Sequence, residues 1–114
     1  MNSNNSSGCK IDYVGVINKS QPYTDCRDNM DCYASISCAA ITDFNKLTVD
    51  NFNVMINSGY IRYDGDGSGS GYGNCSFKKQ YDPATGTLTV IISAYKSGAR
   101  EFSAAINATV YCLH

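Results

Sequence analysis

Apolar and polar side chains alternate most regularly in the last third of the chain. Apolar residues take every second position over residues 88–94 and again over residues 102–112. Between these two runs, the segment Lys96–Ala99 has the composition of a turn. A repeat of two residues is that of a β-strand with one buried face. These positions therefore predict an antiparallel hairpin that buries one of its faces.

Shorter alternating runs predict further strands earlier in the chain, separated by turn-forming residues. The predicted strands are Cys9–Asn18, Tyr33–Ile41, Tyr60–Tyr63 and Cys75–Tyr81. Three segments rich in Pro, Gly or charged residues predict the connections, and these are the loops Lys19–Met30 and Asp64–Gly73 and the tight turn Asp82–Gly86.

The segment Thr48–Gly59 fits two structures. Phe52, Val54 and Ile56 follow the period of a strand, after a slip of one residue from Val49. Thr48 is also a good N-cap for a short helix that Gly59 would end. Because the residues inside are mostly Asn, Val and Phe, which are poor helix formers, we favour the strand.

Composition supports an all-β fold. The 114 residues include nine Tyr, nine Ile, seven Thr, six Val and four Phe, which suit a pleated sheet, but only one Glu, three Leu and two Gln. About seven strands predict an antiparallel β-sandwich or jelly roll. We expect one such domain over residues 9–114, preceded by a flexible polar arm over residues 1–8, whose Asn and Ser side chains have nothing to bury.

The chain has an even number of cysteines without the close spacing typical of a zinc site. This pattern predicts three disulfide bonds that staple the sandwich, and with them an extracellular, secreted or surface-exposed protein. The alternative is six reduced thiols that act as small apolar side chains. Strand parity directs three cysteines inward, namely Cys38, Cys75 and Cys112. Cys26 and Cys32 flank a short loop and could close on each other. Cys9 would form its disulfide either within its own chain or with a neighbouring chain.

Charge and the scarcity of histidine exclude several classes of function. The formal net charge is -1, so we expect no nucleic-acid partner, and no apolar run is long enough for insertion into a membrane as a helix. Histidine occurs once, at His114, which leaves a nucleophile without a base that the fold would fix in place. The sequence therefore predicts a protein that is not an enzyme.

Tyrosines supply the candidate binding residues. Tyrosine is common on recognition surfaces, because its ring gives a large contact area at a low cost in conformational entropy. A face that binds protein or sugar would use the tyrosines around the glycine-rich segment and on the strands that follow, namely Tyr60, Tyr63, Tyr72, Tyr81 and Tyr95. The alternative is that half of them belong to the core or to strand edges.

The glycine-rich segment also resembles the first half of a calcium-binding loop. Asp64, Asp66 and Ser68 place side-chain oxygens at its first, third and fifth positions, with Gly69 at the sixth. The twelfth position, where such a loop has a Glu, is Cys75. The competing interpretation is a surface loop without a cation, so we predict no cofactor and retain calcium as the one candidate.

Together these features predict a non-enzymatic extracellular module that assembles through protein–protein contacts, with copies of itself as the foremost partner. Such modules build surface appendages, coats and virions. The alternative is a small secreted binding protein, either a glycan-binding module or a toxin-like effector, that uses an exposed tyrosine-rich face.

Overall fold

The computed structural model describes residues 10–65 and 69–114, and these form seven strands in two antiparallel sheets. The strands are β1 (Ile11–Asp25), β2 (Asn29–Ser37), β3 (Phe52–Gly65), β4 (Gly69–Gly73), β5 (Cys75–Asp82), β6 (Thr87–Tyr95) and β7 (Glu101–Leu113). The prediction of an all-β protein with about seven strands is confirmed. The predicted arm, residues 1–8, and Cys9 lie outside the described residues.

The two sheets have the strand orders β1-β7-β3-β4 and β2-β6-β5. β7 is central in the first sheet and β6 in the second, and their inward side chains form most of the core. The alternating apolar residues predicted to be buried are buried, from Leu88 to Ala94 on β6 and from Phe102 to Cys112 on β7. Sandwich packing of this kind follows from strands with one apolar face.

The predicted hairpin between β6 and β7 is wrong in its pairing, although both strands are present. The two strands belong to different sheets, and residues 96–99 carry the chain across the sandwich. Asp28 holds this connection: its carbonyl oxygen accepts from the amide of Lys96 at 2.7 Å, and its carboxylate accepts from the amide of Gly98 at 3.0 Å. A repeat of two residues identifies a buried face but not the neighbouring strand.

The predicted loop Lys19–Met30 is also wrong, because β1 continues to Asp25 and β2 begins at Asn29. β1 lies at the edge of its sheet, where a proline loses no ladder hydrogen bond on its open side. The register of β1 against β7 shifts between Gln21 and Thr24, so Pro22 falls in a bulge. The predicted strand Tyr33–Ile41 is correct only as far as Ser37.

The ambiguous segment is mostly the favoured strand, and the alternative helix that Gly59 would end is wrong. Val49–Asn51 forms a single 3-10 turn, in which the Asn51 side chain accepts from the amide of Thr48 at 2.9 Å. The favoured strand then begins at Phe52 and runs without a break to Gly65, so the separately predicted strand Tyr60–Tyr63 is part of β3. A bulge at Asn57 shifts the alternation of β3 by one residue, so that Gly59 and Ile61 point inward after it.

The predicted glycine-rich loop Asp64–Gly73 is wrong over most of its length, since Asp64 and Gly65 end β3. Gly69–Gly73 forms β4, which pairs with residues 61–65 of β3. At Gly71 a Cβ atom would lie 3.0 Å from the hydroxyl oxygen of Tyr63, its partner in the register. Glycine is therefore needed here because the Tyr63 ring covers the strand, and not only because it makes the chain flexible.

Candidate functional site

The five predicted binding tyrosines do not share one face. Tyr60 and Tyr72 point outward from the four-stranded sheet, and Tyr95 points outward from the other sheet. Tyr63 and Tyr81 lie on inward positions and pack against the core. The structure therefore brings together two of the five, and their rings meet edge to face with centroids 5.7 Å apart.

Arg62 completes a small cluster with these two tyrosines, and we call Tyr60, Arg62 and Tyr72 the tyrosine cluster. The guanidinium carbon of Arg62 lies 5.5 Å from the centroid of the Tyr72 ring. This distance allows a cation–π interaction that holds the exposed ring in place. The cluster offers one aromatic face and several N–H donors to solvent.

A second exposed region lies at the other end of the same sheet, and the alternation of the sequence did not predict it. We call it the apolar patch, and its main residues are Ile11, Tyr13, Val16, Met55 and Leu113, which are between 41 % and 63 % exposed. Register places Val16, Thr109 and Met55 in one row across β1, β7 and β3. The Tyr13 ring meets that of Tyr111 edge to face, with centroids 5.8 Å apart.

No charged side chain interrupts the apolar patch within the part of the chain that the structure describes. Its outward neighbours in the register are uncharged polar residues, among them Asn18, Asn53 and Asn107. Asn57 donates from its side chain to the Asn107 oxygen at 3.0 Å and to the Thr109 hydroxyl at 2.9 Å, so this row of amides is ordered. Depletion of charge around exposed aromatic and apolar residues is typical of the centre of a protein interface.

The cysteines do not form the predicted staples in the described residues. Cys26, Cys32, Cys38, Cys75 and Cys112 are all free thiols, which is the alternative that the sequence left open. The inward positions predicted for Cys38 and Cys112 are confirmed by their full burial, whereas Cys75 is half-buried. Cys26 and Cys32 do not close on each other, because Cys32 lies on an inward position of β2, opposite Ile92.

Burial changes the chemistry of these thiols. Removal from water raises the pKa of Cys32, Cys38, Cys75 and Cys112, because it disfavours the thiolate. For Cys38 the charge of Cys112 raises the pKa further. Such thiols behave as apolar side chains and not as nucleophiles.

The candidate calcium ligands are only partly described. Asp64 lies on β3, where its carbonyl oxygen accepts from the amide of Arg100 at 2.9 Å. Asp66 and Ser68 lie outside the described residues. Over residues 10–65 and 69–114, no three His, Cys, Asp or Glu side chains converge in a way that would hold a metal ion. Calcium therefore stays a prediction from the sequence.

His114 has a defined partner. Its Nε2 atom lies 2.6 Å from the Oδ2 atom of Asp12, and the backbones of His114 and Lys10 exchange two hydrogen bonds of 2.9 Å. These contacts join the ends of β1 and β7. No pattern in the sequence indicates this pair, because Asp12 and His114 are brought together only by the register of the two strands.

Comparisons with protein-family models, with curated proteins and with solved structures gave no match for this chain. Among the described residues, no helix is long and apolar enough to cross a membrane.

Proposed function

We propose that this protein is a non-enzymatic assembly module that associates with a second copy of itself through the apolar patch. The observation that carries the proposal is the outer surface around Tyr13, Val16 and Met55, where the described strands place no charged side chain. Monomeric proteins expose isolated apolar side chains, but a continuous group of them on one sheet face marks an interaction site.

The absence of charge from the described part of the patch favours a second copy as the partner. When two identical surfaces meet across a twofold axis, each charged residue near the axis faces its own copy and is repelled by it. The apolar patch and its asparagine neighbours avoid this cost. Broad, flat sheet faces can also stack about 10 Å apart, as they do inside sandwiches.

The extracellular location predicted from the cysteine number stays a prediction, and the free thiols give it no support. The proposed self-association does not need disulfides, since it depends on the contact of two outer faces. It holds equally in a reducing and in an oxidising compartment.

Sedimentation velocity over a range of protein concentrations tests the proposal. We expect the protein to form a dimer or larger assembly as its concentration rises, and Tyr13→Lys to be monomeric at the same concentrations. Tyr33→Lys is the matched control, because Tyr33 is an exposed tyrosine on the outer face of the other sheet. A wild-type protein that is monomeric throughout, or equal effects of the two substitutions, would contradict the proposal.

The tyrosine cluster favours a second candidate function, which is glycan binding. An exposed ring held by Arg62 offers an apolar face on which a sugar ring stacks, with N–H donors beside it for hydroxyl groups. A glycan array tests this function directly. We expect Tyr72→Ala to abolish any signal and Tyr95→Ala to leave it unchanged, because Tyr95 lies on the other sheet.

A further inference from the structure

The two long sides of the sandwich differ in how they are closed. On one side, β1 and β2 pack together, and a Cβ atom on Gly15 would lie only 3.0 Å from the Cδ1 atom of Ile36. On the other side the backbones of β3 and β5 scarcely approach each other. A groove of about 440 Å³ opens there, and it reaches Val90 on the inner face of β6.

Beside this groove, β3 of the four-stranded sheet is not covered by the edge strand β4. β4 covers β3 only from Ile61 to Gly65, so residues 52–59 have β7 on one side and no strand of residues 10–65 and 69–114 on the other. The carbonyl oxygen of Phe52 accepts from the ammonium group of Lys79 on β5, which shows that it points away from β7. Since backbone direction alternates along a strand, Val54 and Ile56 also direct N–H and C=O groups to this open edge.

Inward-facing apolar side chains are exposed along the same edge. Ile56 on β3 is 38 % exposed and Phe77 on β5 is 43 % exposed, although register places both on the core side of their strands. The Phe77 ring closes one end of the groove, since its Cζ atom would lie 3.5 Å from a Cβ atom on Gly59. Apolar side chains from an added strand would complete the burial of these two residues.

The charge of the groove is positive. Lys78 and Lys79 line it, and none of its described lining residues carries a carboxylate. Lys79 occupies an inward position of β5, opposite Val90, and its ammonium makes its one hydrogen bond within the described chain to the Phe52 carbonyl. An inward lysine on an edge strand discourages unspecific strand pairing, and it favours a partner that brings a carboxylate.

From these four observations we infer that the groove between β3 and β5 binds an extended peptide segment of a partner protein. The segment adds a strand beside Val54 and Ile56 and directs apolar side chains inward at alternate positions, with an Asp or Glu among them that pairs with Lys79. Recognition by strand addition draws its affinity from backbone hydrogen bonds and its specificity from pockets for alternate side chains. A peptide fits better than an acyl chain, because only a peptide satisfies the N–H and C=O groups on the β3 edge.

This inference does not depend on the proposed self-association. The groove lies between the sheets at the β3–β5 side, whereas the apolar patch lies on the outer face of one sheet. A protein in which Tyr13→Lys abolishes assembly should therefore bind the peptide as the wild-type protein does, so the two proposals fail separately.

The test uses the full-length ¹⁵N-labelled protein and short blocked peptides. The probe is acetyl-Val-Thr-Glu-Thr-Val-Thr-amide, and its matched controls replace Glu by Gln or carry methyl groups on the amides that would face β3. We expect the probe, at millimolar concentration, to shift the amide signals of Val54, Ile56, Phe77 and Lys79. The N-methylated peptide should produce no shift, because it cannot donate to the β3 edge.

Substitution of Lys79 tests the charged contact. We expect Lys79→Gln to weaken binding of the Glu probe about threefold to tenfold and to leave binding of the Gln peptide unchanged. Lys10→Gln is the matched control, because Lys10 lies beside β1, at the edge of the four-stranded sheet that is away from the groove. The spectrum of each variant without peptide establishes that it is folded.

Three outcomes would overturn the inference. The first is the absence of shifts at the groove amides, or shifts elsewhere only. The second is equal binding of the N-methylated peptide, which would exclude strand addition. The third is perturbation of the same amides by decanoate and not by the peptides, which would identify the groove as a site for an acyl chain.

Discussion

The hydroxyl group of Tyr81 donates a hydrogen bond of 2.5 Å to the backbone carbonyl oxygen of Phe44. This contact fastens a first 3-10 turn, Phe44–Lys46, which precedes the turn Val49–Asn51, to the end of β5. The Tyr81 ring also packs against Phe52 with centroids 4.7 Å apart. We expect Tyr81→Phe to lower the free energy of unfolding by about 1 kcal/mol, since it leaves a carbonyl without its donor while it keeps the ring.

Chemical denaturation with urea measures this loss. Tyr33→Phe is the control. Because Tyr33 is exposed, loss of its hydroxyl group should change the free energy of unfolding by less than about 0.5 kcal/mol. Equal effects of the two substitutions would show that the Phe44 contact does not stabilise the fold.

The buried thiols predict a loss of stability at alkaline pH. Burial raises the pKa of Cys32, Cys38 and Cys112 in the folded state above their ordinary value of 9.0. Because the unfolded chain then loses these protons first, the contribution of these thiols to the free energy of unfolding is constant below about pH 8 and falls as the pH rises through 9. Each thiol contributes a slope of about 1.4 kcal/mol per pH unit until its folded form ionises as well.

Urea denaturation at several pH values checks this slope. Cys112→Ala should reduce the slope of the free energy of unfolding against pH by the contribution of one thiol. Val110→Ala is the control, since it removes apolar volume from the same strand and should lower stability without a change in slope. The Tyr81 hydroxyl, whose pKa is raised mainly by desolvation, adds a further decline above pH 10.

The degree of burial also predicts the order in which the thiols react. Cys26 is half-exposed and should be alkylated by iodoacetamide in the folded protein before Cys75, whose pKa burial raises. Cys32, Cys38 and Cys112 should react only when the protein unfolds. Peptide mass spectrometry after timed alkylation measures the order, and failure of these cysteines to react even in denaturant without a reductant would show disulfides instead.

A glycine at the turn after β5 should be difficult to replace. Gly86 has a φ of 72°, and a Cβ atom there would lie 2.8 Å from Cδ1 of Phe44 and 3.2 Å from the backbone of Ala39. We expect Gly86→Ala to destabilise the protein by about 3 kcal/mol, through backbone strain together with steric overlap.

Gly69 separates these two causes. Its φ is 71°, but among the described residues a Cβ atom there would have no neighbour within 4 Å beyond the adjoining residues of its own chain segment. Gly69→Ala should therefore cost only the backbone strain, about 1 kcal/mol, as measured by the shift of the urea midpoint. If both substitutions cost the same, the contacts with Phe44 and Ala39 relax freely and the steric argument is wrong.

Period-two alternation predicted the strands best where both the strand and its neighbours are long. β6 and β7 were found with their buried faces because each is central in its sheet and its apolar side chains have no other place to go. The partners of these strands could not be predicted, because the turn at residues 96–99 crosses between sheets by means of Asp28, which lies far away in the sequence.

Edge strands were the hardest to predict. The second half of β1 contains Lys19, Pro22 and a bulge, and β4 is mostly glycine. Residues of this kind are typical of loops, but they also occur on strand edges, where they limit pairing with other chains. Only the register with the neighbouring strand distinguishes the two.

The candidate surfaces illustrate the same limit. Ile11, Tyr13 and Val16 gave the alternation that predicted the first strand, and yet their shared face points to solvent, while Ile17 points to the core. A bulge between Tyr13 and Gly15 produces this change of parity. The apolar residues of the patch are evident in the sequence, but a period of two residues does not distinguish an exposed apolar face from a buried one.

The central position of β7 also determines when the larger sheet is able to form during synthesis. β1 and β3 hydrogen-bond along β7 for most of their length, and the ribosome makes β7 after both of them. The smaller sheet is available earlier, since β2, β5 and β6 precede β7 in the chain. Until β7 is synthesised, β1 and β3 expose their apolar faces. During this interval the growing chain is able to bind chaperones or to aggregate.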